Sequence, residues 1–229
     1  MTSTQGPAAA RNRGWRAARG AVIAFTDDDT IPARRWLREA EKVFTQTGAA
    51  AVMGRIVVPL SRMPSDYERD AAGLERAEFA TANCFYLKRV LEETGGFDER
   101  FGAAWREDAD LFFTVLEHQG RAMTASDAVV VHPVRPARWG VSLSQQRKAL
   151  YNALIYKKHP RLYRQRIQAA PPLLYYAVVA GAGLLLWGVA AGSRPLAALG
   201  FAAWTGGTLY FIARRLPGTS RPEERRGGK

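Results

Sequence analysis

The spacing of apolar positions divides the chain into two parts. Residues 6–160 alternate short apolar runs with amphipathic stretches, whereas the C-terminal third carries two long uncharged runs. In the first part, Ala8–Arg19 is helical in pattern and meets Gly20, a residue suited to stop a helix. Ala21–Thr26 is a compact, partly β-branched run and predicts a buried strand. Ala33–Thr47 gathers Trp36, Leu37, Ala40, Val43 and Phe44 on one face and ends at Gly48, so it predicts an amphipathic helix. Ala50–Val58 predicts a second strand, and the polar Pro59–Ala72 a loop or short helix. Ala82–Leu87 predicts a short strand that leads into a helix over Lys88–Thr94, stopped by Gly95-Gly96. Glu107–Gln119 predicts a helix with Leu111, Phe112, Val115 and Leu116 facing inward. Ala128–Val131 predicts a strand ending at His132-Pro133, and Leu143–Lys158 a further helix. Such alternation implies an α/β sheet flanked by helices.

The apolar runs of the C-terminal third are Pro171–Ser193 and Pro195–Ala213, separated by Arg194. A membrane helix needs roughly 20 apolar residues, which each run supplies. Gly188 with Gly192, and Ala203 with Gly207, form small-residue pairs that predict close helix approach. Tyr175, Tyr176, Trp187 and Tyr210 lie towards the ends, where aromatic belts form. Two buried helices of a soluble domain are the alternative. Lys157, Lys158, Arg161, Arg164 and Arg166 precede the first run, and Arg214, Arg215, Arg221, Arg225 and Arg226 follow the second. Basic flanks on both sides predict a hairpin across the cytoplasmic (inner) membrane with both termini in the cytoplasm. The expected organisation is therefore a domain over residues 1–160, a hairpin over 161–216, and a basic, disordered tail over 217–229.

Charge changes this picture little. The 229 residues carry a formal net charge of +12, which by itself suggests nucleic acid or an anionic membrane as partner. The basic residues are dispersed or flank the apolar runs, so no nucleic-acid footprint forms and none is expected as a partner. Cys84 is the single cysteine, which excludes an intrachain disulfide and a cysteine-based zinc site. The first residues lack the apolar stretch of a signal peptide.

The candidate chemistry lies at Asp27-Asp28-Asp29, directly after the first predicted strand. Carboxylates gathered there repel one another unless a cation sits among them, and hard divalent cations bind carboxylate and phosphate oxygens together. An acidic turn capping the next helix, with Pro32 in its first turn, is the competing explanation. Ligands of α/β sheets collect at the carboxyl ends of strands, which is where this run falls. A second acidic cluster, Glu107-Asp108-Ala109-Asp110, opens a predicted helix. Asp108 precedes Leu111 and Phe112 by three and four residues and so points towards the packed side, as a general base would. Compensation of the helix dipole explains the same residues more simply. His132 is either a metal or phosphate ligand or a structural histidine.

Taken in order, these segments resemble one family. Ala10-Arg11-Asn12-Arg13-Gly14, Ala21–Phe25 with Asp27-Asp28-Asp29, Trp36-Leu37, Asn83 with Leu91, Gly95-Gly96-Phe97-Asp98-Glu99 with Phe101, and Glu107-Asp108-Ala109-Asp110-Leu111 look like family-2 glycosyltransferases of the GT-A fold. The resemblance covers about residues 6–160. It implies inverting transfer of a sugar from a nucleotide-diphosphate sugar, with Mg²⁺ or Mn²⁺. Arg11, Asn12, Asp27, Asp28 and Asp29 would then form the nucleotide-sugar site. Asp27 faces the ribose, Asp29 and His132 hold the metal, and Asp28 is a spacer. Asp108 matches the acceptor-deprotonating base, with Asn83 and Glu107 as candidates on the acceptor side. A membrane hairpin favours a lipid-linked or envelope-glycan acceptor.

Two departures qualify the resemblance. Family members carry a nucleotide-binding strand–helix–strand before the Ala-Arg-Asn segment, and only Met1–Ala9 stand there. The implied fold is thus a partial GT-A mixed sheet with exposed edges. Gln145-Gln146-Arg147-Lys148-Ala149 also lacks the tryptophan of processive members, which implies single addition. The alternatives are an inactive, glycosyltransferase-like membrane protein and, on Asp27 and Asp29 alone, a phosphatase of the haloacid-dehalogenase type.

Overall fold

The computed structural model describes residues 5–137, 140–141 and 145–215. The chain forms two compact units, one of Met1–Arg62 with Tyr67–Tyr163, the other of Met63–Asp66 with Arg164–Lys229.

The first unit is built on a five-stranded mixed sheet in the order β1-β4-β3-β5-β2. Its strands are β1 Val22–Phe25, β2 Ile31–Pro32, β3 Ala51–Val57, β4 Cys84–Leu87 and β5 Ala122–Val131. Only β3 and β5 run parallel; the other neighbours are antiparallel. Side-chain alternation gives the sheet two faces. Val52 and Phe85 lie opposite each other in register and face helix α2, Trp36–Thr47, in a core with Ala40, Phe44, Ala49, Ala125 and Ala128. Ala51 and Tyr86 pair one position along and point the other way. On that second face Phe25 packs edge-on against Tyr86 and Phe97, and Phe79 stacks on Phe112 with ring centroids 4.0 Å apart. Helices α1 (Pro7–Ala17), α4 (Lys88–Thr94) and α5 (Glu107–Glu117) complete the unit's long helices before Ala122, while α3 (Asp66–Ala71) is a short one followed by a 3₁₀ turn.

Several expected elements change. α1 ends two residues earlier than predicted, because Ala18 is already extended and its carbonyl takes a hydrogen bond from Lys88 Nζ; Gly20 does not cap it. The segment predicted to open a helix at Ala33 contributes β2 instead. Ile31 and Pro32 pair with Val131 and Val130 at the sheet edge, where a proline costs no ladder bond, and the helix starts at Trp36. β5 begins six residues before the predicted Ala128. Its first half lacks β-branched aliphatic residues and leads into a bulge, where the register jumps from Gly54↔Ala125 to Arg55↔Val129. The predicted helix Leu143–Lys158 is a 3₁₀ turn over Gln146–Ala149 continuing into α6, Leu150–Lys158, with Leu143 outside the described residues. Pro160 opens a further helix, α7, over Pro160–Arg166. β1 and β2 form the sheet edges among the described residues.

The β5 bulge is held by Asn83, one of the candidate acceptor-side residues. Asn83 is 1% exposed. Its Nδ2 donates to the carbonyls of Arg55 at 2.9 Å and Ala128 at 2.8 Å, and its Oδ1 accepts from Trp36 Nε1 at 2.8 Å. A Cβ on Gly54 would collide with this amide. Asn83, expected on the acceptor side, is thus buried with its side-chain hydrogen-bonding groups engaged by the scaffold.

In the second unit, α8 (Leu173–Ala190) and α9 (Arg194–Arg215) form an antiparallel hairpin through Ala191-Gly192-Ser193. Both are long and apolar enough to cross a membrane, with only 11% and 6% of their apolar windows buried. Three of the four small residues predicted for the close approach, Gly188, Ala203 and Gly207, lie along it, whereas Gly192 falls in the turn between the helices. Gly188 and Gly200 face the partner backbone at Ala197 and Leu185, with Gly181 and Gly207 one heptad to either side. The tail 217–229 lies outside the described residues.

Asn83→Ala would strand the buried Ala128 carbonyl and leave the partly buried Arg55 carbonyl and Trp36 N–H without this partner, a buried unpaired group costing about 1–3 kcal/mol. A clearly lowered thermal midpoint is expected for the detergent-solubilised variant. An unchanged midpoint would show that the bulge holds itself.

Candidate active site

The acidic turn after β1 is locked by hydroxyls. Thr30 Oγ1 donates to the Asp27 carbonyl at 2.8 Å and lies 2.6 Å from Thr26 Oγ1, the two hydroxyls sharing a hydrogen bond. The turn alternates its carboxylates. Asp27 and Asp29 are largely sheltered, whereas the Asp28 side chain is 91% exposed, as a spacer would be. β2 then sews the turn to the end of β5, and His132 N donates to the Val57 carbonyl, extending the β3–β5 ladder by one residue. This brings His132 Nε2 to 3.8 Å from Asp27 Oδ2 and 3.6 Å from Asp29 Oδ1. One ligand atom from each of Asp27, Asp29 and His132 lies within 4.8 Å of the others. Two carboxylate oxygens and an imidazole suit a divalent cation such as Mn²⁺.

Arg11, on α1, joins this turn to the second acidic cluster. Its Nη2 lies 3.2 Å from Asp27 Oδ1 and its Nη1 2.6 Å from Glu107 Oε1. Glu107 is 2% exposed, and its other oxygen has no hydrogen-bond partner. Burial, with repulsion from Asp108, lifts the Glu107 carboxyl to about 7 against the pull of Arg11. Burial also raises Asp108, opposed by the Ala109 N–H, Arg11 and Arg106. Asp108 Oδ1 accepts that N–H at 2.7 Å. Cys84 lies beneath the cluster: burial pushes its thiol up, and the charges of Asp108 and Asp27 add to the shift.

Asn12, expected beside the nucleotide, is engaged with the Gly96-Phe97 turn. It is 1% exposed; Nδ2 donates to the Phe97 carbonyl and Glu99, while Oδ1 accepts from Phe97 N and Trp15 Nε1. Gly96, at φ 76, makes this possible, because a Cβ there would sit 2.6 Å from Asn12 Oδ1. The Gly-Gly-Phe-Asp segment is therefore the seat of α1 as well as the stop of α4.

The chain's relatives can now be set beside this geometry. The profile described as "Glycosyl transferase family 2" matches residues 1–112. A pre-mycofactocin glycosyltransferase of Mycobacterium tuberculosis is 29% identical over 222 residues, covering 89% of this chain and 44% of that protein. Glycosyltransferase AglE of Haloferax volcanii is 28% identical over 143 residues, covering 58% of this chain and 46% of that protein. Over residues 1–112 the chain is similar to glycosyltransferase family 2. It spans less than half the length of these two relatives. Among solved structures, a mannosyltransferase from Pyrobaculum calidifontis, in complex with GDP-Man and Mn²⁺, superposes with a TM-score of 0.58 at 23% identity, over 95% of this chain and 62% of that one. That likeness concerns the GT-A fold.

The sequence missed two sets of cations. Arg135 reaches Asp29 Oδ2 at 2.6 Å and Asp28 Oδ1 at 3.1 Å. Lys158 Nζ and His159 Nε2 lie 2.7 Å and 3.2 Å from the two oxygens of buried Asp110. Burial lowers His159, but Asp110 and Glu117 outweigh it and raise its pKa. Burial likewise raises Asp98, but hydrogen bonds from Arg100 and Lys158 hold it well below the usual range. Both sets come from beyond residue 131, and nothing in the local pattern ties them to the acidic turns.

The Arg11–Glu107 pair gives a pH test. The folded Glu107 pKa lies above an ordinary glutamate's ~4.3, so its contribution to stability is present at low pH and lost as pH rises through about 7. Arg11→Gln removes the opposing cation and enlarges that loss. The melting temperature of this variant is expected to fall below wild type more at about pH 8.5 than at about pH 5.5. Equal deficits at both values would mean that Arg11 does not stabilise the Glu107 anion.

Proposed function

We propose that the chain carries the catalytic site of an inverting transfer from a nucleotide-diphosphate sugar to an acceptor hydroxyl, with Asp108 as base. The observation that supports this best is the Arg11 bridge, which sets the Asp27/Asp29/His132 cluster beside the Glu107-Asp108 turn. The two clusters then face one substrate from different elements, one at the leaving group and one at the nucleophile. Asp27, Asp29 and His132 would hold Mg²⁺ or Mn²⁺ on the diphosphate, where the ion neutralises charge growing on the leaving group. Asp108 takes the proton of the acceptor hydroxyl. The oxygen then forms its bond to the anomeric carbon as the carbon–diphosphate bond breaks, its electron pair leaving with the diphosphate. Glu107 orients Arg11 and borders the acceptor side.

The hairpin supports a membrane setting. Leu173, Val179, Leu186, Val189, Leu199, Leu209 and Ile212 are exposed on α8 and α9, as side chains that meet lipid would be. Basic residues before α8 and at the end of α9 favour cytoplasmic termini. An active site tethered there suits a lipid-linked or envelope-glycan acceptor.

The test is release of nucleoside diphosphate from a panel of nucleotide sugars, with membranes as acceptor source. Asp108→Asn should lower turnover by at least ~100-fold, the scale of a lost general base, while donor affinity persists. Turnover retained in the variant rejects Asp108 as base; no turnover in the parent chain favours the non-catalytic membrane protein. Because burial raises both Asp108 and Glu107 and the two act on one another, activity should fall on acidification at a pH above the ordinary aspartate range, and the limb belongs to the pair. A pH–rate profile flat down to about pH 5 would contradict this assignment.

A further inference from the structure

Asp29 is the carboxylate that the proposed function gives to a divalent cation, yet it already holds a cation of the chain. Arg135 Nε is 2.6 Å from its Oδ2, and Arg135 Nη2 is 3.1 Å from Asp28 Oδ1. The other Asp29 oxygen faces His132 Nε2 at 3.6 Å. Arg135 follows β5 in a segment without regular structure, and its side chain is 59% exposed. Two cations that neutralise one carboxylate weaken each other's hold, because each reduces the negative potential the other needs. An exposed ion pair of this kind is weak and exchanges readily. A guanidinium also matches phosphate geometry with a two-pronged donor set and gives up its water easily.

We propose that Arg135 is a placeholder cation and a diphosphate ligand: it neutralises Asp28 and Asp29 until a divalent cation arrives with a diphosphate, then turns to the diphosphate oxygens. The inference rests on the metal and donor assignments above and adds a residue that they do not include. It also gives Arg135 a role at the end of the reaction. Breaking the sugar–phosphate bond leaves a diphosphate with one more charged oxygen, and the freed guanidinium stands within reach of the turn that holds it. Exposure makes the residue suitable for testing, since its replacement removes no core contact.

The signature is a reversal of sign between two ligands. Mn²⁺ binding to the full chain in detergent can be read by electron paramagnetic resonance of the free ion, and pyrophosphate binding by calorimetry at saturating Mn²⁺. Arg135→Gln is expected to bind Mn²⁺ alone about 3-fold more tightly, because a competitor is gone. It should bind Mn²⁺–pyrophosphate about 10-fold more weakly, because a charge-assisted ligand is gone. Affinities that move together, or that do not move, overturn the proposal. Asp29→Ala separates the two levels of inference. Loss of Mn²⁺ binding in that variant, with no tightening in Arg135→Gln, rejects the placeholder alone. Unchanged Mn²⁺ binding in Asp29→Ala rejects the metal assignment and the placeholder together.

Discussion

Arg11 stands between Asp27 and Glu107, and the site depends on what that position requires. Carboxylates brought together in a partly dry cleft repel and resist desolvation, so each needs a cation from another element. Arg11 from α1 answers Asp27 and Glu107; Lys158 and His159, at and just beyond the end of α6, answer Asp110; Arg135 answers Asp28 and Asp29. The cations thus fix which elements must meet. α1 has to reach both acidic turns at once, and the Asn12 amide seated on the Gly96-Phe97 backbone holds it where it can.

This charge matching explains which parts of the chain were legible as sequence. Strands and helices that bury one face announced themselves through periodicity, so β1, α2, β3, β4 and α5 fall where the apolar pattern put them, give or take a few residues. β2 did not, because a two-residue edge strand has no period and Pro32 looked like a helix opener. The first half of β5 did not, because Ala122–Ser126 lacks the β-branched run that marks a strand and its pairing is interrupted by the bulge. Asp27, Asp29 and His132 were legible as a set through their order along the chain, and β2 supplies the physical reason that they converge. Asn12 and Asn83 share a feature that their sequence context does not show. A polar residue among motif residues invites a ligand role, and only the fold reveals that its hydrogen bonds are already taken by backbone.

The hairpin follows a different rule. Its helices meet where the absence of a side chain lets backbones touch, at Gly188 and Gly200, flanked by Gly181 and Gly207. The seven-residue spacing within each helix follows the seam of two nearly antiparallel helices. Of the predicted pairs, Gly188, Ala203 and Gly207 lie on this seam, Ala203 against Gly181, while Gly192 falls in the turn between the helices.

The site's ion pairs fall into two kinds, and the difference has chemical meaning. Asp110 and Glu107 are buried, so removing a partner cation leaves an uncompensated charge in a poor solvent. Such pairs hold α5 in one place and thereby hold Asp108 at a fixed position on its first turn. Asp28, Asp29 and Arg135 meet at the surface, where water softens the loss of either partner. The transfer proposed above would use both kinds. Asp108, as its proposed base, would have to stay put, because proton transfer fails beyond hydrogen-bonding reach. The groups proposed to receive a charged donor and release a more highly charged product would have to exchange partners at each turnover. In this chain the boundary between the two kinds runs through Arg11: one guanidinium nitrogen is committed to buried Glu107, and the other to Asp27 at the edge of the exchangeable cluster.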